Sequence, residues 1–341
     1  MSSTPRKPLR DVPWEAIDRV TGLPRHGSYR GALRAVELEA MAPDRIERLT
    51  RHKRWIWATV STREFVLAFA VVDLGYATSM FGYAWSASEG MLIDTAQLGL
   101  PGLASVRRDG VDRVRARFRS APLAPRARIA IAEPVGGQRI EVSVSLPSLE
   151  LTGFADLRSG PPPMTAIAPV AGGILNVTEK RVLAPFLGSA LVRGRRFLLD
   201  GADFGWDVTE GLLARRTRWK WAFIQGRTTE GVSFALNLVE GFVGEPECTL
   251  WLDGQVIPVG EGRFEHTEGE PLRPWKVKTT CGTVAFEVTP TAQHADQQDL
   301  RVIKSRFFQA LGLGSGVLSH EGRTHRFEAT PIIVEDQDML W

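Results

Sequence analysis

Two polar residues lie in otherwise apolar surroundings, and both have side chains that could do chemistry. Asp207, in Trp206-Asp207-Val208-Thr209, stands a short segment ahead of the most aromatic stretch of the chain. A carboxylic acid enclosed by apolar walls holds its proton more tightly than in water and can then serve as a general acid. The plainer alternative is an Asx-type turn residue. Asn237 falls between Leu236 and Leu238, where a carboxamide needs hydrogen-bond partners if it is buried. It would orient the acid or a bound molecule, or else be a satisfied structural amide. Trp55, Trp57, Trp219 and Trp221 would line the same space, because indole faces stack on flat or polyene molecules and favour positive charge. Core packing would use the same rings. Trp251 and Lys220 complete the ligand-binding candidates.

Other chemistries find less support. The chain has no G-x-S-x-G elbow, Walker loop or C-x-x-C pair. Gly312-Leu313-Gly314-Ser315-Gly316 places Val317 where a dinucleotide fingerprint needs its third glycine, so a hairpin or bulge is expected there. His320 and His325 are five residues apart around a turn-forming Gly322, not on one helix face as a zinc helix requires. No metal and no cofactor are expected.

The elements that must position these residues read as strands. From Arg218 to Gln225, Trp219, Trp221 and Phe223 alternate with Arg218, Lys220 and Ala222, the period of a strand with aromatic enrichment. Gly226 to Gly231 is a polar loop, and Val232 to Val239 alternates again. A simple loop would set Gln225 opposite Val232, Trp221 opposite Leu236, Trp219 opposite Leu238 and Lys220 opposite Asn237. Cys248 to Leu252 forms a third strand that ends at Asp253-Gly254, a type I′ hairpin signal because both central residues need positive φ.

The aromatic hairpin has an echo. Arg54-Trp55-Ile56-Trp57-Ala58, a polar turn, then Leu67-Ala68-Phe69 matches Arg218-Trp219-Lys220-Trp221-Ala222, a polar turn, then Phe234-Ala235-Leu236. The offset, 219 − 55 = 164 residues, is about half the chain, which implies a duplicated domain rather than a solenoid. Phe65 to Val72 is apolar on both faces and is expected to be buried on both sides. Short strands follow at 77–85, 111–119, 127–133 and 139–146, then 175–182, 189–199, 275–280, 283–289, 302–309 and 325–334. So many, with turn signals between them, predict an all-β protein. Residues 1–30 read as an N-terminal arm, 33–48 as a short helix interrupted by Pro43, and the Pro- and Gly-rich 161–173 as a linker. The expected division is a first barrel over 31–160 and a second over 174–341, with strand exchange between them allowed.

With 341 residues and 43% hydrophobic content the chain can build its core without disulfides. Cys248 and Cys281 lack metal-ligand spacing and suit a reducing compartment. The formal charge is +3; without a concentrated patch or a recognition motif, nucleic acid is not an expected partner. A weak attraction to an anionic membrane surface, about 1 kcal/mol per well-placed basic residue, competes with the simpler reading of a solvated face. The first residues lack the apolar core of a signal peptide, and no run of apolar residues is long enough to span a bilayer as a helix. A cytoplasmic location is expected.

Together these residues resemble a bacterial family built on a domain of unknown function, over about residue 50 to Trp341. The resemblance rests on Asp207-x-Thr209-x-Gly211, Thr217-Arg218-Trp219-Lys220-Trp221-Ala222, Asn237-Leu238, Glu247-x-x-Leu250-Trp251-x-Asp253-Gly254, Pro274-Trp275 and Gln309-x-x-Gly312-x-x-x-Gly316. That family is distantly similar to the lipocalin-like proteins that include carotenoid hydratases and tocopherol cyclases. The resemblance implies two lipocalin-like, calycin-type antiparallel β-barrels in tandem with few short helices. It also implies an apolar isoprenoid or lipid as partner, with acid-catalysed hydration, isomerisation or cyclisation as the chemistry. A non-catalytic lipid carrier, or a packed interaction module, would have the same fold. Near the C-terminus the family pattern has Glu-Asp-His, whereas this chain reads Glu335-Asp336-Gln337.

Overall fold

The computed structural model describes residues 7–42, 44–108, 112–299 and 304–341. Pro43 and the first residues of the strands expected from 111 and 302 lie outside the described residues. Nearly everything else is antiparallel β-sheet. The helical elements among the described residues are one α-helix, Arg45–Arg51, and the 3-10 turns Leu38–Met41 and Glu245–Glu247.

The strands form two sheets whose paths repeat one another. In the first, the strands Thr78–Ser86, Phe65–Asp73 and His52–Ser61 lead to Ala202–Leu212, then Leu175–Val192, then Leu149–Asp156. In the second, Thr249–Leu252, Ser233–Gly241 and Arg216–Arg227 lead to Arg323–Leu340, then Lys304–His320, then Val284–Val288. Each sheet curls until a late strand packs back against an early one: Ala104–Arg107 against Phe65–Asp73, and Gly262–Glu265 against Ser233–Gly241. These are two near-closed barrels in tandem, as the repeat predicts.

The halves are built from different lengths of chain than expected. The strands between Leu175 and Leu212 belong to the first sheet, so the change of sheet falls between Leu212 and Arg216. The stretch 161–173 contains a fully buried strand, Met164–Ala168, paired on one side with Leu175–Val192 and on the other with Gly27–Arg30 of the N-terminal arm. Its Ala166 and Ile167 are packed away from water. Proline and glycine crowd its flanks rather than its middle, which is why it reads as a linker.

Phe65–Asp73 shows how the halves meet. Phe65, Leu67, Phe69 and Val71 fill the first barrel, while Val66, Ala68 and Ala70 face the second half. Its neighbour divides likewise: Ile56 and Ala58 point into the first barrel and Trp57 out of it, toward Trp221. Each barrel's Trp hairpin therefore buries one face inside its own barrel and the other against its twin. Gln225 fastens the seam. Its amide Nε2 donates to Ser61 Oγ at 2.9 Å and to the Asp203 carbonyl at 2.8 Å, and its Oε1 accepts from the Leu183 N–H at 3.1 Å.

The central hairpin pairs in a register three residues from the expected one. Gly226 and Arg227 extend the strand, so Gln225 lies opposite Ala235, Phe223 opposite Asn237 and Trp221 opposite Val239. An odd shift exchanges the faces of the second strand and puts Asn237 on the tryptophan side. The Asp253-Gly254 turn forms with φ of 50° and 76°. Glycine spacing in 312–316 accommodates a bulge between Gly314 and Gly316.

Replacing Gln225 by alanine strands the Leu183 N–H and frees Ser61 and the Asp203 carbonyl in a dry seam. Urea unfolding should show about 2 kcal/mol of lost stability; a loss within error would mean that water replaces the amide.

Candidate functional site

Where the two Trp hairpins cross, the seam opens into a cavity of about 470 Å³ walled by both halves. It lies between the barrels rather than inside one. The first barrel's interior is filled by side chains such as Phe69, Phe118, Phe186 and Phe204. Trp55, Trp57, Trp219 and Trp221 all line the cavity. Trp55 and Trp219 stack with centroids 6.1 Å apart and planes 15° from parallel, and Trp341 also stacks with Trp55 at 6.4 Å. Trp57 and Trp221 meet edge-on at 5.0 Å.

The polar wall comes from equivalent positions of the two halves. Asp207 sits opposite Trp57 on one side and Lys180 on the other. Glu335 sits opposite Trp221 and Gln309. Since Trp57 and Trp221 correspond in the repeat, Asp207 corresponds to Glu335, and Lys180 to Gln309. Duplication has thus placed two carboxyl groups at the seam, each with a neighbour-strand partner, and the partners differ in charge.

Asp207 belongs to a charged group. The Lys180 ammonium hydrogen-bonds its Oδ2, and the hydroxyls of Thr178 and Thr209 approach its Oδ1 at 2.9 and 3.0 Å. Lys180 also reaches Glu247 at 3.2 Å, and Asn176 Nδ2 donates to the other oxygen of Glu247 at 3.0 Å. Burial works against the ammonium, but Asp207 and Glu247 outweigh it and hold the Lys180 pKa above its ordinary value. Burial, aided by the charge of Asp207 and opposed by Lys180, raises that of Glu247.

Among the described residues no cation pairs directly with Glu335, and the Lys180 charge is a minor influence on it. Trp219 Nε1 donates to its Oε1 and Gln309 Nε2 to its Oε2, both at 2.6 Å. Gln309 is held in that orientation because its Oε1 accepts from Tyr83 Oη at 2.9 Å and Trp57 Nε1 at 3.3 Å; an indole N–H can only donate. Burial is the largest influence on Glu335 and lifts its pKa to about 7. With a pKa near neutrality this carboxyl group can both hold a proton and give it up, in a wall of indoles.

The remaining expected residues lie elsewhere. Asn237 does not reach the cavity: it accepts from Trp221 Nε1 at 2.8 Å and donates to the Glu247 backbone carbonyl at 2.9 Å. It thereby ties a cavity tryptophan to the turn carrying Glu247. Trp251 is wholly buried and donates to the Pro162 carbonyl at 2.9 Å. Lys220 pairs with Glu240 at 3.2 Å, away from the cavity wall. Glu335, Gln309, Lys180 and Glu247 were not among the sequence candidates. The signal available was a lone polar residue in an apolar strand, as Gln309 is between Phe308 and Ala310.

Glu335 takes up a proton on folding, because its pKa rises from 4.5 to about 7. Between those values the native state binds more protons than the unfolded chain, so stability falls as pH rises through the window, by about 3 kcal/mol in all. Glu335→Gln should flatten most of that slope and delete the infrared carbonyl band of a protonated carboxyl group. A wild-type band that titrates near the ordinary glutamate range would remove Glu335 as a neutral acid.

Comparison with solved structures finds the same overall fold in other proteins. CghA, whose structure was determined with Sch210972, superposes with a TM-score of 0.55 at 11% identity, covering 84% of this chain and 88% of its own. Kievitone hydratase from Nectria haematococca gives a TM-score of 0.46 at 13% identity over 86% of this chain and 90% of its own. A putative AttH from Nitrosomonas europaea gives 0.46 at 12% over 83% and 92%. Curated protein sequences give no match. The family model described as Domain of unknown function (DUF2804) matches residues 16–341, and the chain belongs to that family.

Proposed function

We propose that this protein binds an apolar small molecule of the isoprenoid or lipid class in the cavity between its barrels and protonates it from Glu335. The observation that carries the reading is a buried carboxyl group, Glu335, hydrogen-bonded to Trp219 in the wall of an indole-lined space, where burial lifts its pKa to about 7. A shared fold does not fix a function, so the support lies in the cavity's own chemistry. Its volume suits a small-molecule site. Proton transfer from Glu335 to an alkene carbon leaves a carboxylate at Glu335 and a cation in the ligand. The faces of Trp55, Trp57 and Trp219 favour that cation. It is discharged by water, by an internal nucleophile or by loss of a neighbouring proton, giving hydration, cyclisation or isomerisation. Lys180, with two acidic partners on the wall, has further N–H capacity to hold a ligand oxygen.

Asp207, the acid expected from the sequence, is in this reading the anchor of Lys180. A carrier would use the same cavity without proton transfer, and deuterium separates the two. The small molecule extracted from native protein, identified by mass spectrometry and returned to the protein in D2O, should gain carbon-bound deuterium. Glu335→Gln should bind it and slow that incorporation by about 10²- to 10⁴-fold. Binding by both proteins with no incorporation above the protein-free rate would leave a carrier.

A further inference from the structure

Residues 113–132 hold six arginines and no acidic residue. They form the hairpin of the strands Asp112–Arg119 and Arg128–Pro134, closed by the Ser120 N–H on the Ala127 carbonyl at 2.9 Å. Arg113 turns inward to Glu133 and Glu179. Arg117, Arg119, Arg126 and Arg128 are exposed, and among the described residues none of the four has an acidic partner. Arg119 and Arg128 stand directly opposite each other across the hairpin. Like charges in that position repel; an acidic residue in register with them on this face, Glu150, lies two strands beyond Arg128, past Ser145.

The tip of this hairpin is apolar and adjoins the cavity mouth. Leu123 is 102% exposed, and Ala121 beside it lines the cavity. The Arg119 N–H donates to the Leu103 carbonyl at 3.0 Å and Gln97 Nε2 to the Pro125 carbonyl at 2.8 Å. Those bonds join the hairpin to the turn carrying Leu98 and Leu100, which line the mouth while 54% and 72% exposed. Scattered exposed leucines need no explanation. Three around one opening, flanked by four unpaired arginines, do.

We propose that this rim docks on an anionic lipid bilayer, with Leu123, Leu98 and Leu100 entering the interface and Arg117, Arg119, Arg126 and Arg128 meeting lipid phosphates. Juxtaposed apolar and basic side chains bind such surfaces by apolar burial and charge together. Nucleic acid would use the arginines but leave the leucines in water. Docking would open the cavity onto the phase in which an apolar ligand is dissolved. The proposal rests on the cavity being apolar and does not need Glu335 to react.

The test is co-sedimentation of the full chain with vesicles of phosphatidylcholine alone or with roughly one-third phosphatidylglycerol. Binding is expected on the anionic vesicles and should weaken in about 0.5 M salt. The double variant R119E/R128E should lose roughly fivefold or more per arginine, and Leu123→Asp, at a fully exposed position, should lose severalfold while circular dichroism stays unchanged. No sedimentation, equal sedimentation on neutral vesicles, or binding that survives both variants overturns the proposal. Retention on single-stranded RNA that Leu123→Asp leaves intact, without vesicle binding, would assign the arginines to nucleic acid instead. Deuterium incorporation by Glu335 is a separate readout, so either idea can fail alone.

Discussion

The structure depends on one constraint: two strands of the same design, one from each barrel, bury their outer faces on each other. A barrel strand ordinarily shows its outer face to water, and Trp57 or Trp221 there would be an exposed apolar surface. Placed face to face, the two rings meet edge-on at 5.0 Å and the halves become one body. The same contact decides where a cavity can exist. Each barrel is filled by its own side chains, whereas large rigid indoles brought together by an approximate twofold leave space at one end of the seam. Polar residues at the seam must then be paired within it, which is what Gln225, Asn237 and Gln309 do.

Much of this was legible in the residues. The repeat at an offset of 164 gave the tandem architecture, because aromatic alternation flanked by polar turns is the local signature of a strand pair. The continuous apolar run from Phe65 to Val72 says that a strand is buried on both faces but not against what, so the four tryptophans could be expected near a cavity without its lying between the barrels. Register was less accessible. Gly226 and Arg227 look like loop and behave as strand, since backbone pairing extends as far as the five-residue turn allows. Gly90–Gly99 and Leu149–Asp156 lack a sustained alternation in sequence; the first is the end strand of its sheet beside Thr78–Ser86, and the second is held between Arg139–Leu146 and Leu175–Val192.

Glu335 illustrates a different limit. In sequence it begins a run of acidic and polar residues before the C-terminal Met339-Leu340-Trp341 and resembles a solvated tail. Only the pairing of Arg323–Leu340 between Arg216–Arg227 and Lys304–His320 puts it in the seam. Asp207 stands just ahead of the aromatic hairpin in sequence; Glu335 lies at the equivalent position with Trp219 and Trp221 more than a hundred residues before it. The arginine-rich hairpin was missed for the opposite reason. Alternating Arg-x-Arg in a strand reads as an ordinary solvated face, and its proximity to an apolar opening is a tertiary fact.

The two carboxyl stations carry the synthesis furthest. Equivalent strands of the two halves each bring one acid to the seam, facing different partners. Lys180 beside Asp207 and Gln309 beside Glu335 break that symmetry. An amide that can only donate one side of its head-group to Glu335, in a dry wall, cannot repay the loss of water around a charge. The same ladder position thus gives one half an ion pair with Lys180 and the other a carboxyl group held by Gln309 and Trp219. The division follows from which residue faces each acid across the strand ladder, so it was available to the fold as soon as the duplicated halves closed on each other. The missing histidine at Gln337 is compatible with this arrangement: that position lies opposite Trp219, one strand pair along from Glu335, and the donors that hold the acid come from Trp219 and Gln309.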